Sequence, residues 1–540
     1  MDSVDAEIQL AAQRHIVSAK DKKYDRQLRL WAANGQAALE DAHVLLLGAS
    51  AAGSEILKNL VLPGTGSFTV ADDRIVTEDE LDVNFFLDEG SIGQPLAAQV
   101  SKLLQELNSD SKGHFESLDL HKLDSLEASF WERFSVVVAH QIRPSVLIRI
   151  SKLLWEKNIP LVVSNSIGFY GYFRIIMPEH SVVESHPEST VDLRLDCPWP
   201  ELEQFACGFN LENLDEMEHA HVPYLALLLL YMKRWRDAHD GNPPTSYSER
   251  NQFKDLIRSG MRSSDTENFE EAINAVWRAT QITTVPSEIS NILKDPRAQN
   301  LTEDSSKFWI LTRAIADFVI SSAGNGQLPL SGTVPDMKAD TISYIKLQTI
   351  YRQKALQDRN WVAQRVGELL ASLGHSVGDI STEEIDLFCK FARNLVVIDG
   401  RSLEEELSPS TAKSKLILSE LEDENSLMGV YVGFKAVEKF EEQYDRYPGS
   451  LDDIGEDETM LAEIALAIVQ SLGGSTLSSR LEKVLKEFVR SGGAELHNIS
   501  SLIGGVGAQE IVKVITRQYV PIKNTVLFDG IQSSSSVWEL

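Results

Sequence analysis

Residues 43–53 read HVLLLGASAAG, from His43 to Gly53, and this stretch decides the fold. Val44–Leu47 are four consecutive apolar residues that stop at Gly48, the pattern of a parallel strand buried on both faces. Residues 54–62 (SEILKNLVL) then carry apolar side chains at Ile56, Leu57, Leu60 and Val61, the spacing of one helix face. Strand, tight glycine turn and helix open a Rossmann unit. Gly48 and Gly53 hold the outer positions of its G-x-G-x-x-G fingerprint. The middle position, where the backbone would touch a pyrophosphate, is Ser50, and a β-carbon there hinders a close approach. The stretch has the architecture of a nucleotide site with a defect in its chemistry.

Working outward, Arg26–Leu39 is predicted to be a helix leading into the first strand. Ser67–Ala71 is predicted as the second strand, ending at Asp72 and Asp73. An acidic residue about 20 positions beyond the turn is where a Rossmann site holds a ribose hydroxyl, so Asp72 reads either as that group or as a loop aspartate after a strand. Residues Gln94–Leu107 and Ser145–Trp155 read as helices, and Val136–Ala139 and Leu161–Val163 as strands. The alternation to about residue 175 predicts a parallel sheet with helices on both faces. From about 180 to 490 the apolar pattern is helical. Its longest element is Asp340–Leu373, with Ile342, Ile345, Ile350, Leu356, Val362, Val366, Leu369 and Leu370 expected on one side and Gly374 as the stop. Ile499–Arg517 is an apolar helix holding Gly504, Gly505 and Gly507, each costing on the order of 1 kcal/mol against Ala, so a close packing partner is expected. Asn524–Phe528 is a closing strand. The expected fold is α/β: a Rossmann-like domain over 1–178, a mainly helical insertion over 179–490, and a return over 491–540 that completes the first domain.

The chain has 540 residues, 43% hydrophobic and 24% charged, an ordinary globular composition. Its 51 Lys and Arg against 80 Asp and Glu give a net charge of −29, which disfavours nucleic-acid phosphate and anionic membranes as partners. The first twenty residues lack the apolar core of a signal peptide. The longest apolar run, Leu225–Met232, is far short of the ~20 residues of a membrane span. Three cysteines, Cys197, Cys207 and Cys389, form no C-x-x-C and no disulfide framework. A cytoplasmic or nuclear location is expected. None of the three sits beside a base that would activate it, and Cys197 lies next to Asp196. His219 and His221 could ligate a metal or simply precede the helix after Pro223. No cysteine or carboxylate pattern completes a zinc set, so no metal is expected. In Tyr24-Asp25-Arg26-Gln27-Leu28-Arg29 the two arginines lie one turn apart. They read as a solvated basic face or as a guanidinium offered to a phosphate.

Several segments resemble a known family. Tyr24–Leu30 (YDRQLRL), the GASAAG turn with residues 55–63, and Leu496–Thr516 are similar to the adenylation domains of ubiquitin-like-protein-activating enzymes. Residues 84–87 (NFFL), 106–110 (ELNSD), 184–187 (ESHP), 308–311 (FWIL), 332–337 (GTVPDM) and 344–348 (YIKLQ) narrow the resemblance to the regulatory subunits of heterodimeric activating enzymes of the neddylation (Rub) pathway. An active half of that family carries a glycine-richer turn, an Arg in an Asn-Arg-Gln segment and a Lys after an Asp-Ile-Gly-like segment. Here Ser50 with Ala51, Phe85 and Leu96 stand in those places. The resemblance implies a pseudo-enzyme half that binds no cofactor itself, with Gly48, Ser50, Gly53 and Asp72 forming a degenerate nucleotide site. ATP and Mg would sit in a catalytic partner subunit, and Arg26 would reach across to that ATP. The pair would adenylate the C-terminal glycine of a ubiquitin-like modifier, load it on a partner cysteine as a thioester and pass it to a conjugating enzyme. The residues by themselves also permit an NAD-dependent oxidoreductase, against which Ser50 and the lack of a proton donor count, or a purely structural Rossmann scaffold.

Overall fold

The computed structural model describes residues 18–186, 191–262, 264–406, 412–451 and 454–540. Most of the leader used in the signal-peptide reading, and Pro187 of the ESHP segment, lie outside them. The described residues form two compact units, one from 18–180 with 398–540 and one from 181–397.

The first unit is built on an eight-stranded sheet. Its strands are β1 (His43–Leu47), β2 (Ser67–Ala71), β3 (Lys112–Glu116), β4 (Val136–His140), β5 (Leu161–Ile167) and β6 (Tyr170–Ile176), then, late in the chain, β9 (Thr525–Asp529) and β10 (Ser534–Trp538). The remaining two strands, β7 (Glu179–Val182) and β8 (Val396–Asp399), form a separate ladder where the chain leaves the first unit and returns. The sheet order is β10-β9-β6-β5-β4-β1-β2-β3. Strands β3-β2-β1-β4-β5 are parallel, a Rossmann half, whereas β6, β9 and β10 add on as antiparallel neighbours. The sheet is thus mixed where the sequence predicted a parallel one, because a short reversal at 168–169 turns β5 directly back into β6.

Alternation along β1 shows why the run VLLL had to be wholly apolar. Val44 and Leu46 face one core, and Leu45 and Leu47 the other. The first core lies under α1 (Asp25–Asp41), α2 (Ala51–Val61) and α3 (Leu96–Gln105). The second lies under α4 (Pro144–Glu156) and α6 (Met428–Tyr444), together with helices Ile454–Ser471 and Ser479–Ser491. This second face is the physical reason for a corrected boundary. The described helices between 398 and 490, expected within the insertion, instead cover the sheet face that α4 cannot cover alone. The separate unit is 181–397 rather than 179–490. Arg174 of β6 is fully buried on this face. It pairs with Glu406 at 2.7 Å, and Tyr431 of α6 donates to the same carboxylate.

Helix α7 (His497–Thr516) has the length and apolarity of a membrane span, yet it packs tightly against α2 and the sheet. A β-carbon on Gly504 would lie 2.5 Å from the Glu55 β-carbon, and one on Gly507 would lie 2.7 Å from the Phe173 ring. Gly505 meets nothing within 4 Å, so two of the three glycines answer to packing and the third does not.

The second unit is helical around α5 (Thr341–Ser372). Val362, Val366, Leu369 and Leu370 are buried as expected, but Ile342 (81% exposed), Ile345 and Leu356 face outward. The inner stripe before Val362 is Leu347, Tyr351 and Asp358, a carboxylate satisfied by Lys354 at 2.6 Å and the Leu330 amide at 3.1 Å.

Candidate functional site

The turn after β1 follows its sequence closely. Gly48 has φ +88°, and a β-carbon there would sit 2.6 Å from the His140 carbonyl oxygen. Gly53 brings α2 against β1, where a β-carbon would lie 2.8 Å from Leu46. Ser50 has a positive role: its Oγ accepts from the Gly53 amide at 3.1 Å, capping α2. The helix therefore begins at Ala51, three residues earlier than its apolar spacing suggested.

A helix N-terminus leaves backbone N–H groups free to hold an anion. Here they are taken. The buried carboxylate of Glu495 accepts from Ala51 N–H at 2.9 Å and Ala52 N–H at 3.0 Å. Ser500 Oγ donates to it at 3.0 Å, and His140 Nε2 lies 3.3 Å away. Burial alone would raise this carboxyl, but the His140 ring and the two amides outweigh it and hold it below the ordinary glutamate range.

Asp72 lies at the end of β2, where a ribose carboxylate belongs, but it is 1% exposed and occupied. It accepts from the Ala49 amide at 2.9 Å, the Arg74 amide at 3.0 Å, and the Arg74 guanidinium at 3.0 Å (Nε) and 2.8 Å (Nη2). Burial pushes its carboxyl up, while Arg74 and the two amides bring it below its usual value. Beside these groups opens a cavity of about 410 Å³ whose lining includes Ser50, Arg74, Asp79, Glu80, Asp82 and Tyr447. The two positions lacking cations behave differently. Phe85 is 73% exposed and stacks on His497 at 3.8 Å, whereas Leu96 is fully buried at the start of α3. A nucleotide triphosphate does not fit this set. The helix amides already hold a carboxylate, the ribose acid is tied to Arg74, and three carboxylates rim the cavity.

Arg26 lies apart, on α1. Tyr24, just before that helix, is 2% exposed. Its hydroxyl donates to Asp110 at 2.9 Å and accepts from Asn108 Nδ2 at 3.0 Å, and it sits under Gly64. Lys23 reinforces the anchor through Asp110 at 2.7 Å. Arg29 pairs with Asp25 at 2.9 Å, but the side chain of Arg26 is exposed and makes no ion pair or hydrogen bond with the described residues. Asp25–Asp41 is broken at Trp31 and Ala32, where Ala32 has φ 55°, so the Arg26 turn is a short helix of its own.

The remaining candidates are unremarkable chemically. His219 is buried against Phe269, and His221 Nδ1 contacts the Met217 carbonyl at 2.7 Å. Burial pushes the Cys389 thiol up to about 12 and raises Cys197, which also lies by Gln327 and Asp196. Sequence reasoning missed Glu495, because its contact with the turn spans over 440 residues. Arg74 was findable, as a cation two places after the suspected ribose acid.

The chain matches the ThiF family over residues 24–539. It is 43% identical to the NEDD8-activating enzyme E1 regulatory subunit of Xenopus laevis over 533 residues, covering 97% of this chain and 99% of that protein. It is 39% identical to the Drosophila melanogaster regulatory subunit (97% and 98% covered). Against the Arabidopsis thaliana regulatory subunit AXR1 the identity is 37% (96% of each covered). The matches cover nearly the whole chain, so the chain belongs to the ThiF family and, within it, to the NEDD8-activating enzyme E1 regulatory subunits.

Proposed function

We propose that this chain is the non-catalytic half of a heterodimeric NEDD8-activating enzyme. The observation that carries the reading is a contrast within one unit: the phosphate-binding end of α2 is filled by Glu495, while Arg26 stands exposed with no ion pair or hydrogen bond among the described residues. A half that cannot hold ATP but offers a free guanidinium suits a subunit that completes another chain's site. ATP and Mg are held by the catalytic subunit. Arg26, fixed in direction by Tyr24, reaches the triphosphate there and offsets charge developing as the modifier's C-terminal glycine displaces pyrophosphate. The thioester then forms on a cysteine of the catalytic subunit, in keeping with the raised thiols of Cys389 and Cys197, and the modifier passes on to a conjugating enzyme. The groups that Glu495 and Arg74 occupy also count against a bound dinucleotide, and so against an oxidoreductase.

The test is NEDD8-dependent ATP–pyrophosphate exchange by this chain, by a catalytic subunit, and by the two mixed. Exchange in the mixture alone supports the proposal. Exchange by this chain alone overturns it.

A further inference from the structure

We propose that Glu495 is a built-in anion that occupies the phosphate-binding end of α2, so that this half is closed there by a resident carboxylate in addition to lacking the cations at Phe85 and Leu96. Three donors converge on its carboxylate, the consecutive amides of Ala51 and Ala52 at the head of an eleven-residue helix and Ser500 Oγ from α7, and His140 Nε2 from the end of β4 lies 3.3 Å away. His140 is fully buried, fixed through Nδ1 to Ser164 Oγ at 3.0 Å, and its Nε2 has no hydrogen-bonding partner of good geometry. It is a polar atom aimed at the site and only partly satisfied. Such a convergence around one negative charge is what a tetrahedral oxyanion requires.

The space is also present. The cavity of about 410 Å³ is bordered by Ala49, Ser50, Ala51, Ala494 and Glu495 itself. Shortening Glu495 to alanine extends that cavity up to the amides, leaving room for the larger phosphate where the carboxylate lay. The backbone before Glu495 is built for this approach: Gly492 and Gly493 have φ +58° and +84°, and Gly493 lies so close to Tyr447 that a β-carbon would be 2.4 Å from its ring. This turn delivers the carboxylate to a helix that begins more than 440 residues earlier. Glu495 therefore also ties the C-terminal segment to the glycine turn, so the same contact that excludes phosphate completes the fold.

The experiment uses the full chain with Glu495→Ala, inorganic phosphate as the probe and chloride at matched ionic strength as the control. Thermal unfolding and phosphorus NMR are the readouts. Glu495→Ala is expected to bind phosphate at least about tenfold more tightly than wild type, because the resident charge is gone and its donors remain. It is also expected to regain thermal stability in phosphate but not in chloride. Equal responses from wild type and variant, or no response from a folded variant, overturn the proposal. Should Glu495→Ala fail to fold in either salt, Glu495→Gln keeps the volume and removes the charge. Faster amide exchange at Ala51 and Ala52 in that variant supports the proposal, and unchanged exchange refutes it.

Discussion

Tyr24→Phe tests how the Arg26 turn is held. The substitution removes one hydroxyl from a ring that is 2% exposed and leaves the ring carbons Cζ and Cε1 against Gly64, so only a hydroxyl-sized gap opens. Two hydrogen bonds are lost, to Asp110 at 2.9 Å and from Asn108 at 3.0 Å. Neither partner is orphaned. Asn108 Nδ2 still donates to the Val61 carbonyl at 2.7 Å, and Asp110 keeps Lys23 at 2.7 Å and is 42% exposed to water. Without a desolvated group left behind, the cost is the net worth of the two bonds, about 1–2 kcal/mol. Tyr24→Ala loses the ring as well and costs about 3–5 kcal/mol. The assay is thermal unfolding beside pyrophosphate exchange in the mixture with a catalytic subunit. Tyr24→Phe should show the small stability loss and an exchange rate between wild type and Arg26→Ala, because the guanidinium is present but loosely aimed. If Tyr24→Phe changed neither stability nor exchange, the hydroxyl would not be the anchor and the reasoning would fail.

Other outcomes follow from buried groups. His180 is 6% exposed, and burial, with Arg517 nearby, lowers it from 6.5 to about 4. The unfolded chain therefore takes up a proton near 6.5 that the folded chain refuses until about 4. Its contribution is intact above pH 6.5 and is lost as pH falls through that window, by on the order of 3 kcal/mol. His180→Gln should flatten that part of a stability–pH profile, and an unchanged slope would refute the assignment. Arg174→Met strands Glu406 in the core and should cost about 3–5 kcal/mol in denaturant unfolding, whereas Arg174→Met with Glu406→Leu should recover most of it. Gly504→Val drives a side chain into the Glu55 backbone and should cost at least about 3 kcal/mol, while Gly505→Ala, with open space, should stabilise the isolated chain by about 0.5–1 kcal/mol. Equal effects at the two glycines would contradict the packing of α7 on α2.

The parts of this fold legible in the sequence are those specified locally. The run Val44–Leu47 is apolar at every position because both sheet faces are covered, and Ser67–Ala71 appears with the limits expected of it. Helix α5 lies within one residue of its expected ends because Asp340 caps one end, accepting from the Ser343 amide at 2.9 Å, and Gly374 follows the other. The elements that escaped notice lack such marks. Strand β3 (Lys112–Glu116) is an edge strand with little burial, and the run of four serines Ser533–Ser536, which carries no apolar alternation, lies mostly in the outer strand β10. In α5 the exposed Ile342 and Ile345 mimic a core stripe, while the buried Asp358 hides in it. The return of the chain at 398 could not be read from periodicity. Helices that cover a sheet carry the same pattern as helices that pack on one another. The site divides along the same line. The glycines, Ser50, Asp72 and the missing cations at Phe85 and Leu96 are visible in the sequence, whereas what fills the vacancy, Glu495, belongs to tertiary contact alone.

The central claim is that this chain acts through another subunit's nucleotide and contributes Arg26 to it. The most direct measurement titrates this chain into a fixed amount of catalytic subunit while following NEDD8-dependent ATP–pyrophosphate exchange, for wild type and Arg26→Ala. Arg26 is exposed and unpaired among the described residues, so its removal should leave the fold unaffected. The account predicts no exchange without either chain and saturation at a one-to-one ratio for both versions, with a plateau for Arg26→Ala about 10²-fold lower. An Arg26→Ala plateau equal to wild type, or exchange by this chain before any partner is added, would contradict it.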